Sequence, residues 1–352
     1  MRIVLDAMGG DHAPGVVVEG AVQAARQWGT EIILVGQEDV VRAELAKHDT
    51  AGLPLSIVHA SQVVTMEEHT MAVKQKKDSS MMVGMRLVKE GQADAFASAG
   101  NSGAVLAAAI FGLGRIRGIA RPALATVYPA APGPCLLLDM GANADCKPEY
   151  LLQFALMGDA YARQLFGMER PRIGIVSNGE EEDKGSMLVR ETYPLLKASG
   201  LNFIGNVEGK DIGRGLADVV VTDGMTGNVI VKLSEGLLSF LARFLKEQFT
   251  SGWRNRLGLA LMVPGLIAML PGLALMLPTL RNLRRRMDWR EFGGAPLLGV
   301  DGVVVIGHGR SDAVAIKNMV RSAQTAVQQD VVGTIKEALA QRGMDRQGQM
   351  EV

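Results

Sequence analysis

The sequence predicts an α/β fold built on a mostly parallel sheet with helices on both faces. Short apolar runs, typical of buried strands, alternate with helical patterns along most of the 352 residues. Glycine is abundant, with 42 residues, and it recurs where the predicted strands end and a tight turn must follow. Because no low-complexity linker divides the chain, we expect a single α/β domain over 1–330, with the end of a C-terminal helix and a tail at 331–352.

The first part of the chain carries predicted strands that each lead into a helix or a polar segment. The strands are expected at 2–5, 31–35, 55–59 and 93–97, and the helices at about 16–28 and 39–47, after 78–80 and after 103. In the third helix, apolar Met82, Met85 and Val88 recur at helical spacing, and Asp78 or a following serine would cap its first turn.

The second part of the chain repeats this alternation. Strands are expected at 124–127, 136–138, 173–177, 203–207, 219–221 and 303–306, and helices at 150–166, 186–197, after 228 and at the C-terminus. The strands at 124–127 and 136–138 are expected to pair with each other.

Charge and cysteine content exclude several classes of protein. The net charge is zero, from 37 basic and 37 acidic residues, so no overall positive field favours nucleic acid as a partner. Cys135 and Cys146 have neither the spacing nor the number for a metal site or a disulfide framework, and we expect no bound metal. The N-terminal apolar run is too short for a signal peptide, and a reducing cytoplasm fits these features best.

Six predicted strand ends carry glycine together with Asp, Asn, Ser or His. These loops are 6–12, 98–103, 139–143, 177–185, 222–228 and 307–312. Glycine lets backbone N–H groups approach an anion closely, and a helix N-terminus adds partial positive charge. A single such loop is commonly a turn with a helix cap, but parallel strands end along one edge of a sheet, so we expect the six loops to share an anion site. Neither a P-loop nor a dinucleotide fingerprint occurs at these loops.

The acid–base candidates are few, and no enzyme nucleophile is evident. Cys135 begins an apolar strand, and the sequence has no serine-elbow or metalloprotease motif. His12 and His308 each follow a strand within a glycine-rich turn, which makes them candidates for acid–base chemistry or anion contact, with plain turn histidines as the alternative. The sequence therefore favours direct transfer between two bound substrates that the protein positions and stabilises electrostatically.

Six motifs resemble the phosphate acyltransferase PlsX family, the acyl-acyl-carrier-protein:phosphate acyltransferases. They are Asp6-Ala-Met-Gly-Gly-Asp-His-Ala-Pro, Ala97-Ser-Ala-Gly-Asn-Ser-Gly-Ala, Leu138-Asp-Met-Gly-Ala-Asn, Ser177-Asn-Gly-Glu-Glu, Asp183-Lys-Gly and Thr222-Asp-Gly-Met-Thr-Gly-Asn. The resemblance covers roughly residues 1–330. It implies a three-layer α/β/α sandwich like that of isocitrate and isopropylmalate dehydrogenases and of phosphotransacetylases, working as a homodimer without a cofactor.

The resemblance also implies a reaction. A fatty acyl group would move from the thioester of acyl carrier protein to inorganic phosphate, and the acyl phosphate would feed a membrane glycerol-3-phosphate acyltransferase in phospholipid synthesis. The nearest alternative is a phosphotransacetylase or phosphotransbutyrylase acting on a short acyl-CoA. A dehydrogenase of the related fold and a catalytically silent membrane scaffold are further alternatives.

The family motifs predict which residues form the site. We expect Lys184 to neutralise phosphate or the thioester oxyanion and His12 or His308 to protonate the departing thiolate. Asn228 is expected to hold phosphate oxygens and orient the thioester. The other predicted substrate- and phosphate-binding residues are Asp6, Gly9, Gly10, Asn101, Ser102, Gly103, Asp139, Asn143, Asn178, Gly179, Glu181, Asp223, Gly227, Lys77 and Ser79. The aspartates among them are expected to fix loop geometry. Most carboxylates of 180–183 are expected to face solvent or pair with basic groups, because they would otherwise repel phosphate.

A short basic cluster precedes the third predicted helix. Lys74, Lys76 and Lys77 form either a solvated face or a contact for phosphate or for an acidic carrier protein.

An apolar insert occupies about 250–290, and its uncharged run Leu257–Leu280 is long enough to span a membrane. Pro264, Pro271 and Pro278 instead favour short broken helices, and arginines flank both ends. We therefore expect a hairpin, at about 254–286, that dips into one leaflet and holds the protein peripherally on the inner face of the cell membrane. The alternative is a helix pair buried at a dimer interface.

Overall fold

The computed structural model describes residues 1–131, 133–287, 290 and 293–344. Its strands are β1 Arg2–Asp6, β2 Glu31–Gly36, β3 Leu55–His59, β4 Ala95–Ser98, β5 Ala123–Leu124, β6 Thr126–Tyr128, β7 Cys135–Leu138, β8 Ile173–Val176, β9 Phe203–Val207, β10 Val219–Val221, β11 Ala295–Leu298 and β12 Val303–Ile306. Its helices are α1 Gly15–Trp28, α2 Glu38–Leu45, α3 Ala72–Gln75, α4 Ser80–Lys89, α5 Ser102–Gly112, α6 Pro148–Phe166, α7 Met187–Ala198, α8 Gly209–Ile212, α9 Gly224–Thr250, α10 Gly252–Ala268, α11 Leu270–Met287, α12 Ala313–Gln328 and α13 Val331–Ala340. The predicted α/β fold is confirmed.

The described strands lie in two sheets. The larger sheet has the order β3-β2-β1-β4-β12-β11-β5, in which only β11 runs antiparallel to its neighbours. The smaller sheet has the order β6-β7-β10-β8-β9, in which only β6 is antiparallel to its neighbour. Strands β4, β7 and β10 are buried along their whole length, as is typical of parallel strands covered by helices on both faces.

Alternate side chains of β1 pack into different cores, which explains why helices cover both faces of the larger sheet. Val4 belongs to the apolar cluster that includes residues of α4 and α5. Ile3 and Leu5 belong to the cluster that includes residues of α1 and α12. A third cluster surrounds Phe154 of α6 and holds the smaller sheet.

The chain passes from one sheet to the other at Ala125. Strand β5 pairs with β11 of the larger sheet, and β6 pairs with β7 of the smaller one. Ala125 N donates to Pro296 O at 3.0 Å, which fixes this crossing. The predicted pairing of 124–127 with 136–138 is thus confirmed for Thr126 and Val127, whereas Leu124 belongs to the other sheet.

Residues 228–288 form a compact unit of their own, separate from the unit formed by 1–227 and 289–352. The sequence placed the apolar insert at about 250–290. No single described helix is long and apolar enough to cross a membrane, although Gly252–Gly265 and Leu270–Thr279 pass that test as a pair.

The apolar insert contains one break between its two helices. The two helical segments of the pair are bent by 97° relative to each other, and the break lies beside Pro271. The expectation of broken helices over one straight span is therefore confirmed for the described residues, although Pro264 and Pro278 lie inside α10 and α11 and do not interrupt them. Many apolar side chains here are exposed, among them Leu261 at 73% and Leu275 at 85%.

Candidate functional site

Three of the predicted loops follow neighbouring strands of the larger sheet. They are 6–12, 98–103 and 307–312, which come after β1, β4 and β12. Ser98 Oγ donates to Asp6 Oδ2 at 2.7 Å, and Asp11 N donates to Gly309 O at 2.8 Å. These hydrogen bonds join the three loops into one connected surface.

Asp6 is the buried anchor of these loops, with 1% of its surface exposed. Burial raises the pKa of the Asp6 carboxyl, and hydrogen bonds from Ser80 and Ser98 act in the opposite direction. A Cβ atom on Gly9 would lie 2.5 Å from Asp6 Oδ2 and 2.9 Å from Gly100 N. Only glycine therefore allows the two loops to approach so closely.

The two candidate histidines lie on adjoining loops of this surface. His12 is exposed, and it follows Gly10, whose φ of +117° lies in the region that favours glycine. His308 is half-buried, and its Nδ1 accepts from Arg310 N at 3.3 Å. Because the Asp11–Gly309 hydrogen bond joins their loops, both imidazoles are held at the same sheet edge.

The loop after β4 begins helix α5, and Asn101 is fully engaged in building it. Its Oδ1 accepts from Ala104 N at 3.1 Å as the helix cap, and its Nδ2 donates to backbone carbonyls of 66–68 at 3.1 and 3.3 Å. The Asn101 side chain is thus occupied by protein groups. Ser102 is exposed and Gly103 is half-buried, and these first residues of α5 are the ones open to a ligand.

The other three predicted loops follow strands of the smaller sheet. They are 139–143, 177–185 and 222–228, which come after β7, β8 and β10. The expectation that all six loops lie along the edge of one sheet is therefore wrong. The loops divide three and three because the chain changes sheet at Ala125.

Asp139 organises the loop after β7 with five hydrogen bonds. Its Oδ1 accepts from the backbone N–H groups of Leu124, Gly141 and Ala142 at 3.0, 3.1 and 3.0 Å. Its Oδ2 accepts from Asn143 N at 2.7 Å and from Asn143 Nδ2 at 2.9 Å. The carboxyl is fully buried, and burial raises its pKa. Because Leu124 belongs to the larger sheet, this one side chain ties the two sheets together.

The loops after β7 and β10 pack directly on each other. Gly224 N donates to Asn143 O at 2.7 Å, and Asn143 Nδ2 also donates to Pro122 O at 2.7 Å. A Cβ atom on Gly227 would lie 1.9 Å from Asp139 O, which leaves no room for any side chain. The glycines of these motifs thus serve close backbone packing.

Asp223 fixes the start of α9, as the sequence predicted for the aspartates. Its Oδ1 accepts from Thr226 N at 2.9 Å, and its Oδ2 accepts from Thr226 Oγ1 at 2.7 Å. Asn228 is exposed, and it is the first residue of the separate 228–288 unit.

The loop after β7 also contacts the core of the larger sheet. Met140 and Ala142 pack against the apolar cluster that contains Phe96 and Val105, residues of β4 and α5. The loop after β7 therefore packs against the larger sheet as well as against its own sheet.

Lys184 lies in the acidic loop after β8, and two of the four carboxylates of this loop pair with other lysines. Glu182 pairs with Lys197 at 3.0 Å, and Glu180 Oε1 lies 3.9 Å from Lys210 Nζ. Both results agree with the expectation that these carboxylates pair with basic groups. Within the described residues, the exposed ammonium of Lys184 takes part in no ion pair.

Backbone contacts hold this loop in a tight turn. Lys184 N donates to Glu181 O at 3.1 Å, and Asn206 Nδ2 donates to the same carbonyl at 2.6 Å. A Cβ atom on Gly179 would lie 2.9 Å from Lys184 Cγ and 2.9 Å from Glu181 Oε2. Asn178 is exposed beside them. The turn thus places the Lys184 side chain directly over a glycine.

One acidic cluster near this loop has the composition of a cation site. Carboxylate oxygens of Glu180, Glu208 and Asp211 lie within 4.8 Å of one another. Lys210 already bonds to Glu208 and approaches Glu180, so an ammonium group of the chain balances this cluster.

Ser79 and Lys77 precede α4 and differ in role. Ser79 is buried and caps the helix, because its side chain accepts from Met82 N at 3.4 Å. Lys77 is exposed, whereas Lys76 pairs with Glu68 at 2.6 Å. The lysines of the predicted basic cluster therefore differ in environment, because Lys76 is paired within the chain and Lys77 is exposed.

Three structural partners of the site were not predicted from the sequence. Ser98 and Ser80 bond to Asp6, and Asn206 bonds to the turn that carries Lys184. Ser98 carried a usable signal, because it directly follows a strand as Asp6 does. Asn206 sits inside β9 and carried no such signal.

Comparisons with known proteins agree on one family. A family model described as "Fatty acid synthesis protein" matches residues 1–334. A protein named phosphate acyltransferase from Herpetosiphon aurantiacus is 52% identical over 359 residues, covering 96% of this chain and 98% of that one. Its namesake from Geobacter sulfurreducens is 48% identical over 332 residues, covering 94% and 92%.

Solved structures with this fold are more distant. A EutD phosphotransacetylase from Staphylococcus aureus superposes with a TM-score of 0.55 at 18% identity, covering 94% of both chains. A branched-chain phosphotransacylase from Enterococcus faecalis gives a TM-score of 0.53 at 14% identity, covering 93% of this chain and 99% of that one. At such identities the likeness establishes the fold alone.

Proposed function

The chain belongs to the phosphate acyltransferases of the fatty acid synthesis family, and we propose that its acyl donor is the thioester of acyl-acyl-carrier protein. The family establishes an acyltransferase that acts on phosphate in fatty acid and phospholipid synthesis. The donor, the mechanism and the site residues are the parts that we propose.

The observation that supports the proposed site is that the ammonium group of Lys184 is not engaged in an ion pair among the described residues. Its ammonium has no ion pair among the described residues, although the loop around it contains four carboxylates. Glu180 and Glu182 are matched to Lys210 and Lys197, so the positive charge of Lys184 remains available to an anion. A lysine over a glycine turn beside buried, hydrogen-bonded loops is suited to bind phosphate or a developing oxyanion.

The proposed reaction needs no covalent acyl-enzyme. A phosphate oxygen attacks the thioester carbonyl carbon, and the carbonyl oxygen becomes an oxyanion that Lys184 stabilises. The C–S bond then breaks, which yields the acyl phosphate and the carrier thiolate. His12 or His308 donates a proton to that thiolate. The protein contributes position and charge, which suits a sequence without a serine-elbow motif or a cysteine in a nucleophile setting.

The test is thiol release from acyl-acyl-carrier protein, measured with and without inorganic phosphate. We expect release that depends on phosphate, together with an acyl phosphate that hydroxylamine traps. Phosphate-independent release, or no release, would exclude the proposed reaction. A parallel assay with a short acyl-CoA addresses the alternative of a phosphotransacetylase, for which that donor would be used with equal or greater efficiency.

We propose further that the enzyme works as a cytoplasmic homodimer that associates peripherally with the inner face of the cell membrane through about 254–286. The exposed apolar side chains of α10 and α11 support this, because large apolar patches mark membranes or partners. The acyl phosphate would then reach a membrane glycerol-3-phosphate acyltransferase without crossing water. Flotation with anionic vesicles tests the proposal, and a protein that stays at the bottom of the gradient would overturn it.

A further inference from the structure

A basic groove lies beside the site, between helices α3, α4 and α5. Its volume is about 380 Å³, and its floor includes the apolar side chains of Val73 and Met82. The residues that give the groove its charge and its aromatic wall are Lys74, Lys77, Arg86, Lys89, Glu90 and Phe111. Four cations against one carboxylate make this a strongly positive surface on a chain whose net charge is zero.

The cations of the groove take part in no ion pair among the described residues, although Arg86 interacts electrostatically with Asp78. In the part of the protein that the structure describes, none of its four cations is in an ion pair, whereas neighbouring Lys76 is paired with Glu68 at 2.6 Å. All four side chains belong to exposed residues. Of the three lysines that are close in the sequence, Lys76 is paired with Glu68 and does not line the groove, whereas Arg86 and Lys89 of α4 do. Only the helical arrangement brings these residues together.

An exposed aromatic ring completes the groove. Phe111 is 43% exposed near the end of α5, and Lys74 Nζ lies 4.5 Å from its ring centroid. A ring held in this way among cations is typical of an anchor for a protein partner, with apolar contact at the centre and charge at the rim. A small free anion would make no favourable apolar contact with the Phe111 ring. The groove therefore fits an acidic protein surface that presents an apolar side chain.

The groove is also well placed with respect to the site. Helix α4 begins beside Ser80, which bonds to Asp6, and helix α5 begins at Ser102 in the predicted phosphate loop. Phe111 is nine residues after Ser102, which corresponds to about 14 Å along the helix axis. A substrate whose reactive thioester is carried on a long, flexible prosthetic arm can bind at that distance and still reach the site.

We propose that this basic groove is the docking surface for the acyl carrier protein, through an acidic surface of the carrier that presents an apolar side chain. The proposal rests on the proposed function, because it takes the carrier to be the acyl donor. Electrostatic complementarity of this kind acts mainly on encounter and affinity, so the groove should set KM for the carrier and leave the chemical step unchanged.

The experiment compares two double variants that each remove two positive charges. Arg86→Gln with Lys89→Gln removes them from the groove, and Lys336→Gln with Arg342→Gln removes them from helix α13 and the turn that follows it. At exposed positions two lost contacts should raise KM for acyl-acyl-carrier protein about 3- to 30-fold, with kcat unchanged. Turnover of acyl-phosphopantetheine, which lacks the carrier protein, should not change in either variant.

The outcomes separate the docking proposal from the proposed function. An unchanged KM for the carrier in the groove variant, with an active wild type, would overturn the docking surface alone. A wild type that does not turn over the carrier thioester with phosphate would overturn the function itself. A groove variant that loses binding to anionic vesicles but keeps its carrier KM would assign the groove to lipid and also overturn the proposal.

Discussion

Replacing Asp139 with asparagine tests whether this one side chain holds the two sheets and the loop after β7 together. The amide has the same shape, but an NH₂ group replaces one carboxylate oxygen. The less damaging orientation places that group at Oδ2, where it faces the backbone N–H and the Nδ2 of Asn143. Two donors then lose their charged acceptor, and the three bonds at Oδ1 become bonds to a neutral oxygen.

The expected magnitude follows from these bonds. Hydrogen bonds to a charged group contribute about 1.5–3 kcal/mol each, so two lost bonds correspond to about 3–6 kcal/mol. Burial raises the pKa of Asp139, so asparagine avoids a desolvation cost that the wild-type carboxylate carries. We therefore expect Asp139→Asn to lower the free energy of unfolding by about 2–4 kcal/mol at pH 7.

The assay is urea unfolding followed by circular dichroism, with phosphate-dependent thiol release measured on the same samples. Asp159→Asn is the matched control, because Asp159 is also buried and its pKa is also raised by burial, but its ion pair is with the half-exposed Arg163. That variant should lose about 1 kcal/mol or less. If both variants lose the same free energy, or if Asp139→Asn loses under about 1 kcal/mol, the proposed anchoring role is wrong.

The difference in unfolding free energy between the wild type and Asp139→Asn should change with pH in one direction. Because the pKa of Asp139 is raised in the folded state, the folded protein keeps its proton to higher pH than the unfolded chain does. The wild type therefore loses stability as pH rises from the ordinary value of 3.8 through the folded pKa, and the asparagine variant lacks this loss. The gap in unfolding free energy should be widest on the acid side of that window and narrow toward pH 7. A gap that widens with pH would contradict the argument.

Three further predictions concern single residues. Lys184→Ala should lower phosphate-dependent turnover about 100- to 1000-fold with an unchanged circular dichroism spectrum, whereas Lys197→Ala on helix α7, which pairs with Glu182 of the same loop, should stay near wild type; equal turnover in the two variants would remove Lys184 from the mechanism. Gly227→Ala should lower the free energy of unfolding by about 3 kcal/mol, because its Cβ would lie 1.9 Å from Asp139 O, while Gly236→Ala on the same helix, with nothing within 4 Å, should be neutral or slightly stabilising in urea unfolding. Burial raises the pKa of Cys146 from 9.0 to about 12, which lowers its thiolate fraction about a thousandfold, so iodoacetamide at pH 8 should alkylate it far more slowly than a free cysteine, and a rate equal to that of free cysteine would show that this loop opens.

Local features of the fold were readable from the sequence wherever a local pattern decides the structure. The strands Leu55–His59, Phe203–Val207 and Val303–Ile306 have the predicted bounds, because short runs rich in β-branched and aromatic residues between turn residues favour strands. The predicted serine cap of α4 is Ser79. The division into two sheets was not readable, because it depends on pairing between β5 and β11, which are far apart in the chain. Pro296 also makes β11 look like a break instead of a strand.

In the site as well, features set by neighbouring residues could be predicted from the sequence, and contacts between distant residues could not. Glycine beside Asp, Asn or Ser at strand ends located the six loops correctly, because turn chemistry is local. The hydrogen bonds that shape the loops join residues that are distant in the sequence or lie in different sheets. Ser98, which donates to Asp6, is 92 residues away from it, and Leu124, which donates to Asp139, belongs to the other sheet. No spacing in the sequence encodes these pairs. The residues were therefore predictable, and their partners were not.

The hydrogen bonds of Asp139 also change where phosphate is expected to bind. The sequence motif suggested that backbone amides at the end of β7 would hold phosphate oxygens, but the amides of Gly141, Ala142 and Asn143 already donate to Asp139. Donors that serve an internal carboxylate cannot also serve a ligand. The first turn of α5 is different, because the opening N–H groups of a helix have no partner within the helix. We therefore propose Ser102, at that helix start, together with Lys184, as the groups that meet the phosphate, while Gly224 and Gly227 allow the loops after β7 and β10 to pack closely.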